Sequence, residues 1–522
     1  MENLNADTSD GHVLRSVGAR LLVPLVLLLA LALFVPRLFA HPWLDELGSY
    51  WVVKDGIRRA VERSLEIQGQ SPLYYIVLCL TLKALGAAPW ALRIPSLVCT
   101  VISSLVVFRL GALIAGRIVG FWSAFGFLIS LQLAGVAVEA RPYALAIMCA
   151  ALSSLLFMRW LSTPNKLSAL MYSLSVALTL YAHYLFGSVV VAHLLLFLFV
   201  LRQVEGKLRS DLFSGVLFIV AVTVVLTIPA LAQLYQLSSK TDVLSFAQPL
   251  TASAVLWAMV PWDVLLVLLV MLCFRLTIWR APRFAWRSAL PKQAVLPVVI
   301  LALTPPLGLA AASLLSGHSL WLERYYSWQC LGIGLGIGVV LSLLHSWPRQ
   351  VVVGAVVLAI AVTRQLAGPS DLRDREGWGA VLETLRAADP QHECLVLSMS
   401  GFVESRMLGR GQTAVIEDFL RAPLAYYAIA NESTVIPYSL DDQDAQRYLQ
   451  NTTLPALAQT RCAWLLYRDV KLHSERFAGE DAWAWMRRAL PDLGFRPTSE
   501  MSRGVMRLIR YERPPVPPSG IN

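Results

Sequence analysis

The chain has 522 residues, of which 57% are hydrophobic and 15% charged, and its mean hydropathy is +0.60. Soluble domains carry about a quarter charged residues, so this composition excludes an ordinary soluble protein and indicates one that crosses a membrane repeatedly. The net charge of +10 does not mark a nucleic-acid binder: residues 1–369 hold 26 Lys and Arg against 14 Asp and Glu, residues 370–522 hold 18 against 20, and no basic, aromatic-interleaved soluble face exists.

Apolar runs of bilayer length, roughly 17–25 residues, predict spans at 20–40, 95–115, 118–137, 142–160, 167–183, 185–201, 213–233, 257–276, 294–314, 326–346 and 350–368. The first run lacks a small-residue cleavage site and reads as a retained span. With Arg15 and Arg20 inside, the even connections carry Arg109/Arg117, Arg159/Lys166, Arg202/Lys207/Arg209, Arg275/Arg280/Arg283/Arg287/Lys292 and Arg349. That alternation obeys the positive-inside bias. It requires residues 42–94 to form one outer loop, with 54–67 and 71–86 as helices at the membrane interface. A full crossing at 71–86 places every later basic loop outside. Eleven spans follow, and residues 370–522 lie on the outer side.

This outer segment reads as a small α/β domain. "REGWGAVLETLRAAD" and "EDAWAWMRRALPDLG" predict helices, the second with a glycine stop; "CLVLSMS", "CAWLLYR" and "VMRLIRYER" predict strands, ahead of a disordered-looking "PPVPPSGIN". It carries no nucleotide or nucleophile motif. Five cysteines lie singly in apolar runs; Cys394 and Cys462 each open a strand and can pair in an oxidising compartment. No internal repeat supports a transporter built from inverted halves.

The acidic residues sort by side. Nine of the 14 in residues 1–369 fall outside: Asp45, Glu46, Asp55, Glu62, Glu66, Glu139, Asp242, Asp263 and Glu323. The stretch "HPWLDELGSY" sets Asp45 and Glu46 directly beyond the first span, where a helix N-cap and a catalytic acid pair look alike. Further groups gather on the same face. They are Arg93 in "ALRIPSL", Glu139 and Arg141 in "VEARPYALA", His183 in "LYAHYLFG", and Arg324 and Tyr325 in "LERYYSW", with His318 upstream. Each alone reads equally as an interfacial anchor or a belt aromatic. Asp263, after Pro261, reads as the cap of a span starting near Val264, with 251–260 as a short interfacial helix.

In their order, "LDELGSYW", "QSPLYYIVLCLTLKALGAAPWALRIPSL", "VEARPYAL", "LYAHYLFG" and "LERYYSW" resemble the GT-C class of polyprenyl-phosphate-sugar-dependent glycosyltransferases. That class includes the protein O-mannosyltransferases of glycosyltransferase family 39 and the lipid A aminoarabinose transferases. The resemblance covers residues 20 to about 330; "SPLYY" departs from the His-Pro-Pro-Leu common there. It implies an α-helical polytopic GT-C membrane domain, residues 1–369, followed by a periplasmic α/β domain, residues 370–522. It also implies inverting transfer of a monosaccharide from a polyprenyl phosphate to a hydroxyl of a glycan, lipid or protein, at the periplasmic face of the inner membrane. Asp45 is then the general base and Glu46 orients it or the acceptor. Arg93, Arg141 and Arg324 hold the departing phosphate, with Tyr325 beside them, and Glu139 and His183 are candidate substrate or divalent-cation ligands. The rival is a transporter or flippase of lipid-linked sugars, which needs ionisable residues at mid-membrane depth rather than at one face.

Overall fold

The computed structural model describes residues 7–238, 247, 249–277, 292–344, 346–366, 374–401, 404–409, 413–440, 443–470 and 481–514. Asp242, Arg280, Arg283, Arg287, the 369/370 boundary and the tail from 515 lie outside the described residues.

The membrane part is a helical bundle. Its first helix α1 (Asp7–Phe34) ends in a 3-10 turn, Val35–Phe39. Residues 42–94, read from the charge pattern as an outer loop, then fold into α2 (Leu44–Val53), α3 (Ile57–Glu66) and α4 (Leu73–Leu85). There follow α5 (Pro89–Ala115), α6 (Arg117–Ile129), α7 (Leu131–Ala134), α8 (Tyr143–Ser162), α9 (Lys166–Ala182), α10 (Val189–Leu201) and α11 (Gly206–Ser238). The bundle closes with α12 (Ala252–Met259), α13 (Trp262–Thr277), α14 (Lys292–Ser316), α15 (Cys330–Leu341) and α16 (Trp347–Leu366). Among the described residues seven helices are long and apolar enough to cross a membrane, or eight if α12 and α13, bent by 49°, count as one span. The remaining predicted spans fall on the shorter apolar helices α6, α9 and Ser327–Leu341.

Two details differ from the sequence reading. The run 118–137 is not one helix, because the chain turns extended at Ser130 (ψ 142°) and restarts as α7. Asp263 does stand in the first turn of α13, but it caps a different helix. Its Oδ2 accepts the Leu131 N–H at 3.1 Å and its Oδ1 pairs with Arg364 at 3.2 Å. The break at Ser130 frees the amide that Asp263 takes, so the two differences have one cause.

Close approach of α15 to its neighbours depends on glycine. A Cβ on Gly332 stands 2.2 Å from the Ala302 nitrogen of α14, and Cβ atoms on Gly334 and Gly338 meet backbone oxygens of α6 within 2.8 Å. The i, i+4 spacing of 334 and 338 is the small-residue stripe that lets apolar helices pack backbone to backbone.

The C-terminal unit is a five-stranded sheet of order β2-β1-β3-β5-β4. Its elements are α17 (Trp378–Ala388), β1 (Leu395–Ser398), β2 (Ser433–Val435), β3 (Cys462–Arg468), α18 (Ala482–Asp492), β4 (Arg496–Arg503) and β5 (Met506–Glu512). Strands β2, β1 and β3 run parallel, and β5 and β4 close antiparallel. The Cys394–Cys462 disulfide joins the starts of β1 and β3. Strand side chains alternate between faces. Leu395, Leu397, Leu465 and Tyr467 therefore meet Met486 and Leu490 of α18, while Val396, Trp464 and Leu466 meet Trp378, Val381 and Leu47. Leu47 belongs to α2, so the sheet closes directly on the outer loop.

Gly332→Ala is expected to lower the melting temperature and the folded yield sharply, because backbone of α14 must move. Gly135→Ala, where a Cβ meets nothing within 4 Å, is the control expected to melt as wild type; thermal unfolding in detergent compares the two.

Candidate active site

The first turn of α2 decides what each adjacent acid does. Neighbouring helical side chains diverge by roughly 100°, so Asp45 and Glu46 cannot share one direction. Glu46 is 1% exposed and turns into the protein. Its Oε1 accepts from the Ala140 N–H at 2.9 Å and its Oε2 from the Trp43 N–H at 3.3 Å at the start of its own helix. The capping role that either acid could have played falls to Glu46.

Arg93 completes this arrangement. Its guanidinium grips Glu46 through Nε at 2.8 Å and Nη2 at 2.5 Å, and it donates to the carbonyls of Arg37, Leu38, Ala40 and His41. Its donors are divided between Glu46 and the carbonyls at the exit of α1. Among the described residues, neither Glu46 nor Arg93 belongs to the lining of the cavity that Asp45 faces; both position α2.

Asp45 faces a cavity of about 670 Å³ between the outer loop, the mouths of α8, α9 and α15, and the C-terminal unit. Arg141, His183, Arg324 and Tyr325 line the same cavity. Asp45 Oδ2 accepts from Arg324 Nη1 at 2.5 Å. Burial alone pushes the Asp45 carboxyl up, but Arg324 and then Arg141 outweigh it and hold it below the usual aspartate range. Arg141 is 6% exposed; its Nη1 reaches Gln68 at 3.3 Å and its Nε is buried without a partner. The His183 ring lies 5.3 Å from that of Tyr325, with Nδ1 buried and unpartnered. Buried polar atoms without partners are uncommon in protein interiors, and Arg141 Nε and His183 Nδ1 both belong to residues that line this cavity.

Glu139 stands apart from this group. Arg375 pairs with it at 2.9 Å from the C-terminal unit, and burial, against the pull of Arg375, pushes its carboxyl up to about 7. Among the described residues no three His, Cys, Asp or Glu side chains converge as cation ligands do. With Glu139 turned to Arg375, the predicted Glu139–His183 pair does not form a fitting ligand set for a divalent cation.

Three participants were not anticipated: Gln68, and from the C-terminal unit Glu404 and Arg468. Arg468 ends β3, and its Nη2 pairs with Glu376 at 2.7 Å. Glu376 in turn accepts from the Leu44 N–H of α2 at 3.0 Å and from Trp378 Nε1 at 2.7 Å. A charged residue ending an otherwise apolar strand, on the parity of Trp464 and Leu466, was the available signal for Arg468.

The family pattern described as dolichyl-phosphate-mannose-protein mannosyltransferase matches residues 69–232. No curated protein matches the chain. Among solved structures the fold is similar to ArnT from Cupriavidus metallidurans bound to undecaprenyl phosphate, at 12% identity and TM-score 0.51, covering 97% of this chain and 98% of that one. It is also similar to the arabinofuranosyltransferase AftD from Mycobacteria, at 14% identity and TM-score 0.52, covering 95% and 39%. The archaeal oligosaccharyltransferase AglB from Archaeoglobus fulgidus, in complex with an inhibitory peptide and a dolichol-phosphate, matches at 11% identity and TM-score 0.52, covering 97% and 75%. The resemblance read from the ordered motifs is thus borne out: the chain has the multi-pass helical fold of these GT-C glycosyltransferases, and its residues 69–232 match the mannosyltransferase family pattern.

Proposed function

We propose that the chain moves a monosaccharide from a polyprenyl phosphate to a hydroxyl acceptor, with inversion, at the periplasmic face of the inner membrane. The observation that carries this reading is the Asp45–Arg324 contact inside a cavity that adjoins a lipid-sized groove. The groove holds about 940 Å³, is lined by apolar residues such as Leu73, Ile76, Leu178 and Pro229, and shares Ser71 and Leu237 with the cavity. A polyprenyl tail in the groove brings its phosphate to Arg141 and Arg324. ArnT was solved with undecaprenyl phosphate and AglB with a dolichol-phosphate, which supports a donor of this kind. The Cys394–Cys462 disulfide fits an oxidising compartment for the C-terminal unit.

In the transfer, the anomeric carbon–oxygen bond breaks with its electron pair passing to the phosphate. The acceptor oxygen attacks from the opposite side and its proton passes to Asp45. Charge grows on the phosphate as the bond breaks, and guanidinium donors stabilise it most at that moment. In the free enzyme Asp45 is a weak base because Arg324 and Arg141 hold it down. A donor phosphate engages the same two cations, weakens their pull, and raises the basicity of Asp45 only once donor is bound.

Asp45→Asn is expected to cut turnover by roughly a hundredfold or more, with membrane insertion and undecaprenyl phosphate binding retained; full transfer activity in that variant excludes Asp45 as the base. The coupling also fixes the sign of a pH effect. The acid limb of kcat/KM, which reports the free enzyme, should lie below the usual aspartate range, and the acid limb of kcat, which reports the donor complex, should lie at higher pH. Rate profiles from pH 3.5 to 8 test the order of the two limbs. A reporter fused after residue 349 is expected in the cytoplasm and one after 370 in the periplasm; the reversed result makes 71–86 a span.

A further inference from the structure

The cavity has two walls of different origin. One, from the membrane part, carries Asp45, Arg141, His183 and Arg324; the other, from the C-terminal unit, carries Glu404, Phe419 and Arg468. The lipid groove opens on the first wall, through Ser71 and Leu237. Donor phosphate and tail are therefore accounted for without the second wall.

Arg468 is 8% exposed, and Glu376 fixes its guanidinium relative to the first turn of α2. Its Nε is nevertheless buried with no partner. A buried cationic N–H without an acceptor is costly, and the cost is recovered when a ligand oxygen fills the position. Glu404 begins a short 3-10 turn, Glu404–Met407, beside Gly401, whose φ of +57° favours glycine. A Cβ there stands 3.1 Å from Glu404 Oε2, so the missing side chain leaves the carboxyl open. Burial pushes that carboxyl up to about 7, which lets it donate as well as accept near neutral pH. Phe419 adds an aromatic face.

We propose that Glu404 and Arg468 are the acceptor-recognising residues of the cavity and that the acceptor is a saccharide. This rests on the glycosyl-transfer reading above. A sugar ring presents hydroxyls that donate and accept around its edge and C–H groups on its faces, matching a carboxyl, a guanidinium N–H and an aromatic ring together. The lone hydroxyl of a peptide side chain or a lipid alcohol matches only one of the three. The attacked hydroxyl lies toward Asp45, and its neighbours on the ring are held by the second wall.

The test uses the full-length chain in nanodiscs, with undecaprenyl phosphate as the binding probe, and a deletion strain complemented by each variant. Mass spectrometry of envelope saccharides, lipids and proteins locates the added sugar. Glu404→Gln and Arg468→Lys are expected to lower the glycosylated saccharide roughly ten- to a hundredfold, the worth of a hydrogen bond to a charged group. Undecaprenyl phosphate affinity should stay within about twofold of wild type. Wild-type product levels in both variants overturn the proposal. So does a parallel loss of undecaprenyl phosphate affinity in Glu404→Gln protein that melts as wild type, since the wall then serves the donor. An added sugar found on a protein side chain or a lipid alcohol overturns the saccharide assignment. If wild-type protein binds no undecaprenyl phosphate and restores no product, the glycosyl-transfer reading itself fails and the proposal falls with it.

Discussion

A buried ion pair, Glu46 with Arg93, sets the direction in which α2 leaves the end of α1, and the cavity follows from that direction. Taking two charges out of water costs several kcal/mol for each. Here the cost is offset by two-point contact between guanidinium and carboxylate, by the Ala140 and Trp43 amides, and by four carbonyls at the end of the opening helix. Removing one partner of such a pair leaves a stranded charge, at about 3–5 kcal/mol. The yield is geometric. With Glu46 locked inward, helical rotation carries Asp45 outward into the cavity.

The cavity's charges then work as a group. Arg141, Arg324 and Arg468 surround Asp45 closely enough that each lowers its pKa, with Arg324 the strongest. In a partly buried site such interactions exceed their value in water several-fold. In the proposed transfer the free cavity, rich in guanidinium groups, draws in a lipid phosphate, and the phosphate's own charge then relaxes the hold on Asp45. On that proposal donor capture and activation of the base are one electrostatic event, coupled without a moving lid.

Much of this was legible in the hydropathy and the charge pattern. Bilayer-length apolar runs located most bundle helices, and the helices at 57–66 and 73–85 stand where the outer loop was read to fold. The strands opening at Cys394 and Cys462 declared themselves as apolar runs. Strand β4 did not, since "RPTSEMSR" is an exposed edge with no apolar alternation. The division of labour between Asp45 and Glu46 was hidden because adjacency in a motif suggests a shared task, whereas helical geometry separates neighbours. Arg93 reads as a cation near a membrane face; only the fold reveals that Glu46 and the end of α1 share its donors. Asp263 misled for a similar reason: a helix-start acid is expected to cap its own helix, and the break at Ser130 offered it another.

The C-terminal unit was the least legible part, and it supplies the second wall of the cavity. Its sheet is not an appendage, because Leu47 of α2 packs into the same apolar layer as Val396, Trp464 and Leu466. Alternation along β3 then determines what comes next. Residues 464 and 466 face α2, so 468 must face it too, and at the strand's end that face stops being core and becomes cavity wall. An apolar side chain there would extend the core; an arginine extends the site. The parity of one strand therefore carries a guanidinium from the C-terminal unit to within electrostatic reach of Asp45, with Glu376 bridging it to the helix that bears the base. On the proposed reading the second wall can therefore change its acceptor contacts by substitution at strand ends and turns, while the cations proposed for the lipid phosphate stay on the membrane side untouched.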